Sequence, residues 1–209
     1  KKFVMKRYFR ILPIFLGLSM LTACGGNTDK STEEAPKVSY SYDGASSTME
    51  WTAFKYERKA PVKGTFTTIN VQSISKAEDP KTLVESLEFS IPVSSVSTQD
   101  VSRDGKIVEF FFKTMATDEL KGHIVKLTDD GVAELEVTMN GITDIVTGKY
   151  TLEGAHFAFN ATMDIAKWSA QKAIDVLNEN CKANHTENGV TKVWTEVDLS
   201  FTTHLAESK

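Results

Sequence analysis

Cysteine is scarce: Cys24 and Cys181 are the only two in 209 residues. At most one disulfide could form, and none if Cys24 is otherwise modified, so stability must come from a packed core. Cys181 and His185 make at most half a metal site, and no second pair lies near them in sequence. The four histidines, His123, His156, His185 and His204, are scattered. There is no Gly-x-Ser-x-Gly elbow, no glycine-rich phosphate loop and no nucleic-acid-binding signature. Membrane-spanning length is missing too, since the apolar stretch from Ile11 to Leu21 is too short to cross a bilayer. Positive charge is in deficit, with 24 Lys+Arg against 28 Asp+Glu. Five of the cations, Lys1, Lys2, Lys6, Arg7 and Arg10, precede that apolar stretch. Without them the balance is 19 against 28, a net charge of −9 that phosphate backbones repel.

What is present at the start is a basic flank, an apolar run and then Leu21-Thr22-Ala23-Cys24 followed by Gly25-Gly26, with Met5 as the expected initiator. This order resembles a bacterial lipobox. The resemblance implies that residues 1–23 are a signal peptide removed before Cys24, and that Cys24 carries the lipid. Residues 24–37, rich in Gly, Thr, Ser, Glu and Lys, then read as a flexible tether, and residues 38–209 as one domain. The expected location is the bacterial cell envelope, on the periplasmic side or at the outer membrane. The membrane is a partner through the N-terminal lipid, nucleic acid is not, and a homodimer is compatible with the pattern.

Within the domain the dominant signal is a period of two. Ala133, Leu135, Val137 and Met139 alternate with Glu134, Glu136, Thr138 and Asn140, and Asn140-Gly141 is a two-residue hairpin signal. Ile142, Val146, Tyr150 and Leu152 share a face of the next run, which Glu153-Gly154 ends. Phe157, Phe159, Ala161 and Met163 share a face of the third. Similar alternation predicts strands at Ser47–Tyr56 with a bulge at Phe54, at Val62–Ser75, and at Ser86–Val93 with Pro92 near its end. Further strands are expected at His123–Leu127 and across Val193, Val197, Leu199, Phe201 and Leu205. The aromatic triplet Phe110-Phe111-Phe112 reads as part of a short helix on the sheet. A helical period places an amphipathic helix at Ser169–Asn180, with Ser169 as N-cap and Cys181 as a buried thiol. The total is about eight antiparallel strands with two helical insertions, and closure into a barrel hides the edges of such a meander.

Several segments in this order are similar to the YceI-like family. They are Trp51-Thr52-Ala53-Phe54-Lys55, Val62-Lys63-Gly64-Thr65-Phe66, Ile91-Pro92-Val93-Ser94-Ser95-Val96-Ser97-Thr98, Arg103-Asp104, Phe111-Phe112 and Met139-Asn140-Gly141-Ile142-Thr143. The lipobox, with Trp168 and Cys181 before the last strand, resembles the lipoprotein branch of that family. The resemblance implies an all-β, eight-stranded antiparallel lipocalin-like β-barrel whose cavity holds a polyisoprenoid lipid or quinone. By alternation the cavity lining is expected to be Trp51, Phe89, Ile91, Leu135, Val137, Met139, Phe157, Phe159, Val197, Leu199 and Phe201, with a mouth near Phe110–Phe112. No catalytic residue, metal or further cofactor is expected, and the function is carriage or sequestration of a long apolar amphiphile. The rivals are an interaction module with a barrel filled by its own side chains, and an enzyme with titratable groups converging inside.

Overall fold

The computed structural model describes residues 37–209. The expected signal peptide (residues 1–23), Cys24 and the tether up to residue 36 lie outside the described residues. Residues 37–209 belong to one compact unit that holds the whole sheet and core.

In chain order the strands and α-helices are β1 (Ser39–Ser41), β2 (Thr48–Lys55), β3 (Ala60–Phe66), β4 (Asn70–Gln72), α1 (Pro80–Glu85), β5 (Glu88–Pro92), β6 (Val96–Ser97), α2 (Val101–Lys106), β7 (Glu119–Leu127), β8 (Val132–Met139), β9 (Ile142–Glu153), β10 (His156–Asp164), α3 (Gln171–Asn180), α4 (Lys182–His185), β11 (Thr186–Glu187), β12 (Val190–Thr191), β13 (Val193–His204) and β14 (Ala206–Ser208). Ten of these strands make one antiparallel sheet in the order β4-β5-β7-β8-β9-β10-β13-β2-β3-β6, and β1-β14 and β11-β12 are separate pairs. The sheet therefore has ten strands where eight were expected. The Val62–Ser75 run is divided between β3 and β4, and β6 is two residues long, too short for alternation to register.

The curl of the sheet follows from its connections. β5 and β6 lie near opposite ends of the sheet, yet only the 3-10 turn Val93–Ser95 separates them in sequence. The two ends must meet there. Thr67 N–H donates to Ser95 O at 2.8 Å, and Val93 N–H donates to Asp118 O at 3.0 Å. Both edge strands, β4 and β6, are only three and two residues long, which limits the pairing hazard of a free edge.

The central meander has the expected register. Residues of β8 alternate between half-buried and buried along its length, with Ala133, Leu135, Val137 and Met139 on the buried face. Asn140 and Gly141 take φ of 54° and 68°, the left-handed pair a two-residue hairpin needs. The bulge expected at Phe54 falls instead on the opposite strand. β2 pairs regularly with β3 through Lys55, whereas the register between β2 and β13 shifts between Val193 and Val197.

Strand glycines let aromatic rings lie against the backbone. Trp51 is the cross-strand partner of Gly64, and Phe89 that of Gly122. A Cβ on Gly64 would stand 2.2 Å from the Trp51 ring, and one on Gly122 would stand 2.5 Å from the Phe89 ring. A third ring, Phe159, is equally close to Gly148. Missing side chains at these positions allow strong local bending, with the ring filling the space on the concave face.

The helical segments cover the sheet. Asp100 caps α2 by accepting from Arg103 N–H at 3.1 Å, and α2 runs on into a π-helical turn, Ile107–Phe112, and a 3-10 turn, Lys113–Met115. α3 packs on the π-helical turn. The expected N-cap role of Ser169 is corrected. Ser169 has a φ of 56° and closes the 3-10 turn Ile165–Trp168, and α3 begins two residues later with Ala170 at its N-cap.

Replacing Gly64 with Val is predicted to force Trp51 out of place at about 1–3 kcal/mol, typical of overpacking. At about 2–4 °C per kcal/mol for a domain of this size, thermal unfolding should show a clear fall in Tm. An unchanged Tm would contradict the packing role given to this pair.

Candidate functional site

The inward faces of the curled sheet do not meet. They enclose a cavity of about 450 Å³, within the range of about 300–1,000 Å³ usual for small-molecule sites. Its wall is built strand by strand: Met49, Trp51 and Ala53 from β2, Phe89 and Ile91 from β5, Leu135, Val137 and Met139 from β8, and Val197 and Leu199 from β13. The helical cover adds Ile107, Phe111 and Phe112 from the π-helical turn and Ile174 and Leu177 from α3. A second cavity of about 80 Å³ lies behind Met49, Phe89, Ile91, Leu135 and Leu199, which line both.

Of the residues expected along the cavity, Trp51, Phe89, Ile91, Leu135, Val137, Met139, Val197 and Leu199 line the larger one. Phe157, Phe159 and Phe201 line only the smaller one. The Phe157 ring packs against those of Phe201 and Tyr150, with centroids 6.3 and 6.0 Å apart. Alternation finds the face of a strand but not the depth at which opposite walls come together. That depth is set here by large rings from β10 and β13.

The 3-10 turn before α3 is pinned to the β8-β9 hairpin. Trp168 is fully buried, its Nε1 donates to Val137 O at 2.9 Å, and its own carbonyl accepts from Asn140 Nδ2 at 2.8 Å. Ile165 on the same turn faces the cavity, so this latch holds part of the cover in place.

Polar lining residues come from three neighbouring elements only: Lys55 at the end of β2, Asp100, Ser102, Arg103 and Lys106 at α2, and Asn184 and His185 in α4. Asp100, Ser102, Arg103 and Asn184 are exposed, which marks this end as the mouth. It lies just before the aromatic triplet, of which Phe111 and Phe112 line the cavity and Phe110 does not. Lys55 Nζ and Tyr56 Oη both donate to Asn184 O, at 3.0 and 2.9 Å, joining α4 to β2. Asp104 accepts from Thr98 N–H at 2.8 Å and from its hydroxyl at 2.6 Å, which holds α2 against the chain leaving β6.

Of these mouth residues only Lys55 follows from strand alternation, two places after Ala53 on the inward face of β2. Ser94–Asp104 is polar and rich in Ser and Thr, and the local signal within it is Asp100, an N-cap residue just before a helical turn. The polar stretch Asn184–Gly189 holds the end of α4, then β11, and turns into β12 at Asn188 and Gly189 with φ of 52° and 82°. Cys181 is buried and lines the cavity. Among the described residues no cluster of His, Cys, Asp and Glu is arranged to hold a metal ion.

The curled antiparallel sheet, its hollow apolar interior and its helical cover define a β-barrel of the cavity-bearing class. The chain belongs to the YceI-like domain family, whose model matches residues 40–205. Three solved structures share the fold. A polyisoprenoid binding domain from Saccharophagus degradans is 12% identical, with 82% of this chain and 99% of that chain covered at a TM-score of 0.57. BcnA of Burkholderia cenocepacia is 16% identical, covering 80% and 99% at 0.53. The YCEI protein of Campylobacter jejuni is 16% identical, covering 75% and 90% at 0.51. No curated protein matches the chain in sequence.

Burial, together with the charges of Lys55 and Lys106, pushes His185 down from 6.5 to about 4. In the unfolded chain the imidazole takes up a proton near 6.5, whereas in the folded domain it stays neutral until about 4. The neutral imidazole therefore favours folding fully above that window, and its contribution is lost as pH falls through it. Comparing Tm at pH 7 and pH 5, His185→Gln is predicted to lose less stability on acidification than the parent. Equal losses would contradict this assignment.

Proposed function

We propose that this chain is a lipid-anchored protein of the bacterial cell envelope, of the lipoprotein branch of its family. It carries or sequesters a long apolar amphiphile of the polyisoprenoid or quinone type. The observation that supports this most is the cavity of about 450 Å³ with carbon side chains along its depth and polar groups only at its mouth. Such a site favours a molecule with a long apolar body and a polar end. Each methylene moved from water into the barrel contributes about 0.8 kcal/mol, so chain length supplies the affinity and the mouth supplies orientation. A polyisoprenoid binding domain among the structural neighbours is consistent with that ligand class.

The rival, a barrel filled by its own side chains, is disfavoured by the open interior. We assign the site no covalent chemistry. Apart from the single buried thiol of Cys181, the groups that titrate lie at the mouth, and one thiol without a partner does not make a converging set. The anchor would be the acyl chains on Cys24, which hold the barrel near the membrane in which such amphiphiles dissolve.

Binding of a quinone can be followed by quenching of tryptophan fluorescence, since Trp51 lines the cavity. Val137→Arg places a charge inside and is predicted to abolish binding. Ala53→Phe fills the cavity with carbon and should abolish binding while retaining a cooperative unfolding transition. Undiminished binding by a folded Ala53→Phe protein would refute the site. In a bacterial host, Cys24→Ser is predicted to move the protein from the membrane fraction to the soluble one, and retention on the membrane would refute the anchor.

A further inference from the structure

The rim of the cavity has a composition unlike that of an ordinary polar surface. Lys192 Nζ sits 3.6 Å from the centre of the Trp194 ring, and Lys59 Nζ sits 4.4 Å from it. Arg58 and Lys55 stack on Tyr56 at 5.3 and 4.8 Å. Trp194 also lines the cavity, so one indole joins the apolar interior to the outer rim. Trp and Tyr with flanking cations are the side chains that settle at the headgroup level of a bilayer, because their rings are apolar and their edges polar.

Two further observations point the same way. Val101 opens α2 beside the mouth residues Asp100 and Ser102 and is 88% exposed, against 40–46% for the other exposed large hydrophobics, one of which, Val190, lies in β12 just before the rim strand β13. Charge at the rim also runs against that of the whole chain, in which acids outnumber bases. Arg58, Lys59 and Arg103 are paired with Glu187, Glu196 and Asp100. Lys182, Lys192, Lys55 and Lys106 have no carboxylate partner among the described residues.

We propose that this rim docks on the surface of an anionic phospholipid bilayer, with Val101 and Trp194 at the level of the headgroups. The mouth then opens onto the lipid, and an apolar chain passes between bilayer and cavity without crossing water. The passage step rests on the carrier reading above, whereas the docking itself requires no bound ligand. The acidic remainder of the domain is repelled by the same bilayer, so charge orients the mouth toward it.

Residues 37–209, which lack the anchor, are mixed with vesicles of phosphatidylcholine alone or of equimolar phosphatidylcholine and phosphatidylglycerol, and the bound fraction is read by sedimentation. Binding is expected on the anionic vesicles only. The combined variant Val101→Asp, Lys182→Glu, Lys192→Glu should weaken it at least tenfold, whereas Lys121→Glu with Lys126→Glu, on β7, should change it by about twofold or less. Equal losses in the two variants, or equal binding to neutral vesicles, would overturn the proposal. Unchanged melting of each variant shows that folding is intact. Isoprenoid occupancy, measured separately by mass spectrometry, reports on the carrier reading, so failure of one is distinguishable from failure of the other.

Discussion

Everything in this barrel depends on the close approach of aromatic rings to bare backbone. Where Trp51 crosses Gly64, and Phe89 crosses Gly122, no Cβ stands between ring and strand. The sheet can bend sharply at these points, and the ring that covers the bend becomes part of the concave wall. The same pairs therefore set the curvature and line the hollow. Trp51 Nε1 is buried without a hydrogen-bond partner among the described residues, an arrangement that costs about 1–3 kcal/mol. Ring packing rather than hydrogen bonding holds it there.

A hollow interior costs stability, because lining atoms lose packing partners. The domain offsets this by concentrating dense packing elsewhere. Phe157 and Phe159 are buried at the far end, where the remaining hollow shrinks to about 80 Å³, and Trp168, Ala170 and Ala173 are fully buried around the helical cover. Between them lies an interior graded from apolar depth to a cationic mouth. His185, held neutral at that mouth by burial and by Lys55 and Lys106, marks where the gradient turns from carbon to charge.

Much of this was legible in the sequence where a segment is long and one face is buried. β8, β9, β10 and β13 show period-two alternation because each has an interior face and a solvent face over many residues. Asn140-Gly141 and the position of Pro92 followed from local backbone chemistry. β6 was not legible, since two residues carry no period, and β4 was read only as the end of one long Val62–Ser75 run, so the eight-strand expectation failed. The bulge was expected on the wrong strand: it was read at Phe54 in β2, but the extra residues lie in its partner β13. The larger cavity's strand walls were legible, whereas its mouth was not. Lys106, Asn184 and His185 meet only through the packing of helices far apart in the chain, and no local rule brings them together.

The central claim is that the hollow exists to hold a lipid. Native mass spectrometry combined with organic extraction, on residues 37–209 purified from a bacterial host, tests it most directly. A prenyl lipid or quinone bound at one per chain is the predicted result. A clean apo mass, with no uptake when such lipids are added, would contradict the account.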